Sequence, residues 1–334
     1  MVHSFPLARG FQLLACVRSV GWALGLLGFA KLLIAQQAPQ FTRIQNLANR
    51  EVTLQLAGTR SQNYRVETSA DLVHWASLLT LLSSGTDQHT DSAAPYLDGR
   101  FYRAFEVSGP DSFTGDHLTT DDGEVIIHPL NHASFIMRWK GKTIYNDPVS
   151  AAGPFTGLPK ADLILVSHSH GDNFDSATLN TVRGPNAVII APQAVFNSLS
   201  TTLKALTIVL TNGASTSVLG LTIDAVPAYN ANHPRPTGNG YVLSLGGKRI
   251  YMSGDTGNIP EMRSLPSIDV AFVCMNLPFT MSVNDAATAV RAFRPKVVYP
   301  YHFRNQDSSL ANLNTFKQLV GTDLFVEVRT RKWY

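Results

Sequence analysis

At 334 residues the chain exceeds the usual size of one domain, and a composition 44% hydrophobic and 15% charged, without low-complexity tracts, excludes disordered and fibrous classes. Lys and Arg (27) nearly balance Asp and Glu (24), and no basic run concentrates charge, which excludes the electrostatic footprint of a nucleic-acid partner.

Residues 1–35 read apart from the rest. Arg9 and Arg18 precede the apolar run Val20 to Ala30, and Leu32, Leu33, Ile34 and Ala35 follow, the pattern of a signal peptide cut near Ala35. An N-terminal membrane anchor is the alternative, although Lys31 breaks the run short of the roughly 20 apolar residues that a spanning helix needs. The expectation is an exported protein, periplasmic or secreted. Cleavage would remove three cations and no acid, leaving 24 charges of each sign and Cys274 as the one thiol, so no intrachain disulfide can form. Cys274 lies in the apolar run Val270 to Met275 and reads as a small buried hydrophobe.

Residues 40–108 carry alternating stretches at Glu51 to Leu56, Asn63 to Thr68 and Arg100 to Glu106, separated by the turn signals Gly58, Ser61, Gly85 and Asp98. They predict a small β-sandwich-like accessory module. Trp75 reads as its core anchor, with a carbohydrate-stacking platform, and hence an envelope polymer as partner, as the other reading. Gly109, Pro110, Asp111 and the polar run to Asp122 predict a linker over 109–122.

From residue 123 to 334 strands alternate with helices, which predicts a layered α/β domain of two sheets with flanking helices. Strands are expected at Leu163 to Ser167, Arg249 to Met252, Val270 to Cys274 and Lys296 to Tyr299, among others. Helices are expected at Ser176 to Val182, at Asn284 to Phe293 behind the cap Ser282, and at Leu310 to Val320.

Where the apolar strand Leu163 to Val166 ends, the chain reads Ser167-His168-Ser169-His170-Gly171-Asp172-Asn173-Phe174-Asp175. Ten His in 334 positions give about 0.3 chance His-x-His pairs, but only about 0.02 with Asp two residues on, so the extended motif is informative. His168 and His170, two apart in extended chain, project to one side, and Gly171 can bend the backbone to return Asp172 toward them. Imidazole nitrogens converging with a carboxylate suit zinc, and also manganese or iron. Further candidates sit at strand ends or in loops: Asp147, His233, Asp255 and His302.

The run resembles the His-x-His-x-Asp-His signature of the metallo-β-lactamase superfamily, and the order of Asp147, His233, Gly254-Asp255-Thr256 and His302 agrees over about residues 120–334. Within it the chain most resembles the branch of ascorbate-phosphate lactonase and N-acylphosphatidylethanolamine phospholipase D. The resemblance implies an αββα sandwich over 123–334, one metal held by His168, His170 and His233, a second by Asp172 and His302, and Asp255 bridging both. It implies a metal-activated water, which Asp172 orients or relieves of its proton, cleaving an ester, lactone or phosphodiester in a small-molecule or lipid-like substrate. Asn173 stands where the signature has its last His, and its amide oxygen is the weaker ligand, so one tight and one weakened site are expected. Asp147 and Asp175 are expected to orient the ligand loop. His132, Tyr241, Phe279 and Arg304 fall near the site in the family pattern, as candidate substrate contacts. The alternative from another class is a noncatalytic or weakly active metal-binding envelope protein whose second site is disabled by Asn173.

Overall fold

The computed structural model describes residues 38–334, which form one compact unit. The signal-peptide reading of residues 1–35 lies outside the described residues. No helix among the described residues is long and apolar enough to cross a membrane.

Two large sheets face each other. One has ten strands, and its half nearest the site runs, in spatial order, Thr207–Val209, Arg183–Ala191, Ala161–Leu165, Lys142–Asn146, Ser134–Trp139 and Gly123–Asn131. The other has seven strands, from Ser215–Val218 to Glu327–Val328. Phe135 of the first stacks on Phe272 of the second at 4.1 Å between ring centroids, and Trp333 meets both rings edge-on.

The expected sandwich follows from strands that are apolar on both faces. Along Ala161–Leu165, Leu163 and Leu165 point between the sheets, while Ile164 points outward with Tyr145 and Ile189. That outer face is covered by the helix Ser176–Val182 and the short helices Gln193–Ser198 and Thr201–Lys204 through Leu179, Val195 and Leu203. The helices Val283–Phe293 and Leu313–Val320 bring Val290, Phe293 and Phe316 to the core on the side of the seven-stranded sheet. Ser282 caps the first of these, its hydroxyl accepting the Asp285 N–H at 3.1 Å.

The N-terminal all-β region is built differently from a tethered module. Strands Gln40–Asn46, Val52–Ala57 and Thr86–Asp91 form a separate three-stranded sheet, but Asn63–Ser69, Ala76–Leu82 and Phe101–Val107 are the outer strands of the ten-stranded sheet. The join is Gly115–Thr120, inside the segment expected as a linker, which pairs with both Ala76–Leu82 and Gly123–Asn131. Its polar run hides a strand because Asp116 and His117 are buried in polar pairs: Asp116 accepts from Arg331 at 2.7 Å, and His117 meets Thr80 and Glu124 at 2.8 Å. Trp75 is likewise not the core anchor. It lies half-buried at the surface beneath the Arg103 guanidinium, 4.3 Å from its ring centroid, and the anchor is fully buried Tyr64, packed with Leu54, Val66 and Leu79. Cys274 is buried and free as expected.

Candidate metal centre

The ligand loop begins where the strand Ala161–Leu165 ends. His168 and His170 project to one side, their rings 4.8 Å apart. The bend after them does not depend on Gly171, which is not among the left-handed residues and around which an added Cβ would meet nothing. The His170 carbonyl makes the turn instead, accepting the N–H groups of Asn173 and Phe174 at 3.0 and 2.8 Å. From the adjoining strand end Asp147, at φ 40° and with no exposure, accepts the Ser167 N–H at 2.7 Å and its hydroxyl at 2.8 Å. Asp175 faces the other way and caps the next helix, accepting from the Ala177 N–H and the Thr178 hydroxyl.

His233 enters from the loop after Leu221–Ala228. Its Nδ1 lies 3.0 Å from the Asn230 side-chain oxygen, which also accepts the His233 backbone N–H, so Nδ1 carries the proton and Nε2 is left as a lone pair. That Nε2 lies 3.1 Å from His170 Nδ1. His168 Nε2 completes the group as a buried nitrogen with no hydrogen-bond partner. Burial pushes the His168 imidazole down to about 4, which keeps it neutral and able to ligate at neutral pH.

A second group gathers beside the first. His302, fully buried at φ 49°, has its Nε2 3.4 Å from Asp172 Oδ2 and 3.3 Å from the Asn173 side-chain oxygen. His132 joins it from the hairpin between Gly123–Asn131 and Ser134–Trp139, with Nε2 3.2 Å from the same Asp172 oxygen. Burial favours a neutral Asp172, but the hydrogen bonds from His132 and His302 outweigh it and hold the carboxyl well below its usual range. Burial also opposes charge on His302, and there Asp255 and Asp172 prevail and raise it.

Asp255 stands between the groups. Its Oδ2 lies 3.8 and 3.6 Å from Nε2 of His168 and His233, and its Oδ1 lies 3.4 Å from His302 Nε2. Donors bonded to one cation at about 2.0–2.1 Å in a tetrahedron stand about 3.3 Å apart. The His170–His233 nitrogens and the contacts of Asp255 and Asp172 with His168, His233 and His302, at 3.1 to 3.8 Å, lie around that edge, and the partnerless His168 nitrogen is what such a cation would satisfy. The residues fit divalent metal.

The six ligand candidates from the sequence are thus brought together, and Asn173 lies beside them as a seventh residue. Tyr241 is not a substrate contact: it is fully buried beneath the loop and donates to the Val166 carbonyl at 2.8 Å. Phe279 lies partly exposed in the turn after Asn276. A pocket of about 180 Å³ opens beside Asp172, lined by Asn131, His132, Val149, Ala151, Arg304 and Tyr334 among others. A larger groove of about 410 Å³ runs past Glu51, Tyr96 and Lys317 and contains none of these ligands, so chemistry and not size identifies the site.

Comparison with known proteins agrees with this geometry. The family described as the Beta-lactamase superfamily domain matches residues 127–302. A UPF0173 metal-dependent hydrolase of Pyrococcus abyssi is 32% identical over 206 residues, 58% of this chain and 90% of the relative. One from Thermus thermophilus is 32% identical over 192 residues, 54% and 84% of the two chains. Among solved structures, one from Parabacteroides distasonis that carries the name of a metal-dependent hydrolase is 38% identical, with a TM-score of 0.60 over 66% of this chain and 98% of that one. Igni18, a metallo hydrolase from Ignicoccus hospitalis, is 26% identical, with a TM-score of 0.55 over 62% and 95%. The chain belongs to the metallo-β-lactamase superfamily, among its UPF0173 metal-dependent hydrolases, and is an enzyme of that class.

Proposed function

We propose that the protein hydrolyses an ester, lactone or phosphodiester bond of a small or lipid-like molecule at a two-metal centre, zinc being the first candidate and manganese or iron the others. His168, His170 and His233 would hold one ion, Asp172 and His302 the second, with Asp255 between them. The observation that carries this reading is Asp255, whose two oxygens face different imidazole groups. A divalent cation bound there supplies Lewis acidity and lowers the pKa of water toward 7. The protein's own part is to keep His168 neutral by burial, to aim His233 Nε2 through Asn230, and to hold Asp172 ionised at the pocket mouth. Asp172 is placed to orient a water or take its proton. In the same reading, residues 1–35 direct the protein out of the cytoplasm.

Elemental analysis of the purified protein after reconstitution tests this, with turnover of bis(4-nitrophenyl) phosphate and of a simple lactone. Binding of one to two zinc equivalents, impaired in His168→Ala together with turnover, is the expected result. A protein that takes up no zinc, manganese or iron overturns the reading.

A further inference from the structure

His132 lies 3.2 Å from Asp172 and against the tilted ring of His302, with centroids 3.6 Å apart, so a metal-binding role in place of the missing signature histidine is the obvious assignment. The hydrogen bonds at its other nitrogen argue against it. Tyr334 places its hydroxyl oxygen 2.8 Å from His132 Nδ1. The same oxygen already accepts the backbone N–H groups of Phe303 and Arg304, each at 3.1 Å. A phenol oxygen has one proton to give and at most two lone pairs to accept with, so both acceptor positions are taken and the proton goes to His132 Nδ1. Burial keeps that phenol protonated, its pKa pushed up to about 12. A neutral imidazole that accepts at Nδ1 carries its proton on Nε2, the atom facing Asp172. It has no lone pair there to give a metal.

The backbone fixes this ring from both sides. His132 sits at φ 55°, a left-handed conformation few side chains adopt, at the tip of its hairpin. Its carbonyl accepts the His302 N–H at 3.0 Å, which ties the hairpin to a metal-ligand candidate. The Arg304 guanidinium stacks 4.2 Å from the Tyr334 ring centroid and covers it. Tyr334, His132 and Asp172 all line the pocket beside the ligands.

We propose that His132 is the neutral hydrogen-bond donor of this active site, locked as the Nε2–H tautomer by Tyr334, and that its N–H binds the substrate oxygen on which negative charge develops during hydrolysis. Tyr334 is the positioning residue. The catalytic half of the proposal rests on the hydrolase reading above; the tautomer does not. In the free protein this N–H is held by Asp172 Oδ2 at 3.2 Å, so the ring is already oriented when substrate arrives and only the hydrogen bond is exchanged as the substrate oxygen takes the place of Asp172.

Long-range proton–nitrogen correlation spectra read the tautomer directly, in metal-free and zinc-loaded protein, with the His132 signal identified by its loss in His132→Gln. The expected result is an Nε2–H tautomer in both forms, converted to a mixture or to Nδ1–H in Tyr334→Phe. Zinc content should be the same in wild type, His132→Gln and Tyr334→Phe. With bis(4-nitrophenyl) phosphate, His132→Ala should lose about 100-fold in kcat with KM within about twofold, and His132→Gln, whose amide can present an N–H, should recover part of the loss. An Nδ1–H tautomer in wild type, or a zinc equivalent lost in His132→Gln, overturns the proposal and makes His132 a ligand. Failure to bind zinc, manganese or iron would sink the hydrolase reading instead, and the spectrum of the metal-free protein would still decide the tautomer.

Discussion

Asp147 accepts the Ser167 backbone N–H at 2.7 Å from a carboxyl group with no solvent exposure, which couples the ionisation of a buried acid to the position of the ligand loop. Burial pushes this carboxyl up to about 7 against the hydrogen bonds from Ser167 and Asn173, and it pushes His168 down to about 4. Asp147, raised in the folded state, favours folding fully below 3.8 and loses that contribution as pH climbs through 7. His168, depressed, contributes fully above 6.5 and loses it as pH falls through 4.

The two windows overlap with opposite slopes, each at most about 1.4 kcal/mol per pH unit, so they offset each other in the metal-free protein. Relative to wild type, His168→Gln should lose stability as pH rises from about 4 to 6.5, and Asp147→Asn should gain it. Urea unfolding of metal-free protein at several pH values measures both. Variant curves that run parallel to wild type would contradict the assignment.

Asn173→His should restore an imidazole to the second group, whose His302 Nε2 lies 3.3 Å from the present amide oxygen. We expect the second metal equivalent to bind on the order of tenfold more tightly, about 1.4 kcal/mol. The amide's long bonds to Asp147, Ser167 and Asp255 would be lost, costing the metal-free protein about 1–2 kcal/mol. Chelator competition and thermal unfolding separate the two effects.

Gly254 precedes Asp255 at φ 58°, and a Cβ there would lie 2.6 Å from the Asn239 carbonyl oxygen. Gly254→Ala should therefore destabilise the protein by about 1–3 kcal/mol and displace the carboxylate that faces both groups. Reduced zinc stoichiometry in still-folded protein is the signature to look for. Unchanged stability and metal content would mean that the backbone relaxes at no cost.

Asp116 accepts from Arg331 and from the Tyr299 hydroxyl at 2.7 and 2.8 Å, deep between the N-terminal region and the end of the chain. Asp116→Ala would leave the largely buried Arg331 without its carboxylate partner and the Tyr299 hydroxyl without its acceptor, whereas Arg329 keeps Glu327 at 2.7 Å, and a loss of about 3–5 kcal/mol is expected. Denaturant unfolding reads it directly.

The hydrolase fold and the candidate ligands were legible in the sequence because these residues sit at the ends of strongly apolar strands or in the loops after them, where a period of two assigns Leu163 and Ile164 to opposite cores and leaves His168 at the strand's exit. His132 was harder to place. It lies in a hairpin turn, 36 residues before the motif, and its position follows from left-handed backbone and from Tyr334, which no local spacing encodes. The strand Gly115–Thr120 was missed because its buried side chains are polar and find partners only from distant segments. Trp75 misled because size suggests burial, whereas Arg103 supplies its cover at the surface.

The strand Gly115–Thr120 joins three strands of the N-terminal region to the ten-stranded sheet of the hydrolase fold. A chain cut at residue 122 would expose Gly123–Asn131 as a raw edge, with unpaired N–H and C=O groups and apolar neighbours inviting association with other chains. In this chain the border of the catalytic sheet is therefore shared, and a substitution in Gly115–Thr120 acts on the N-terminal region and the hydrolase fold at once.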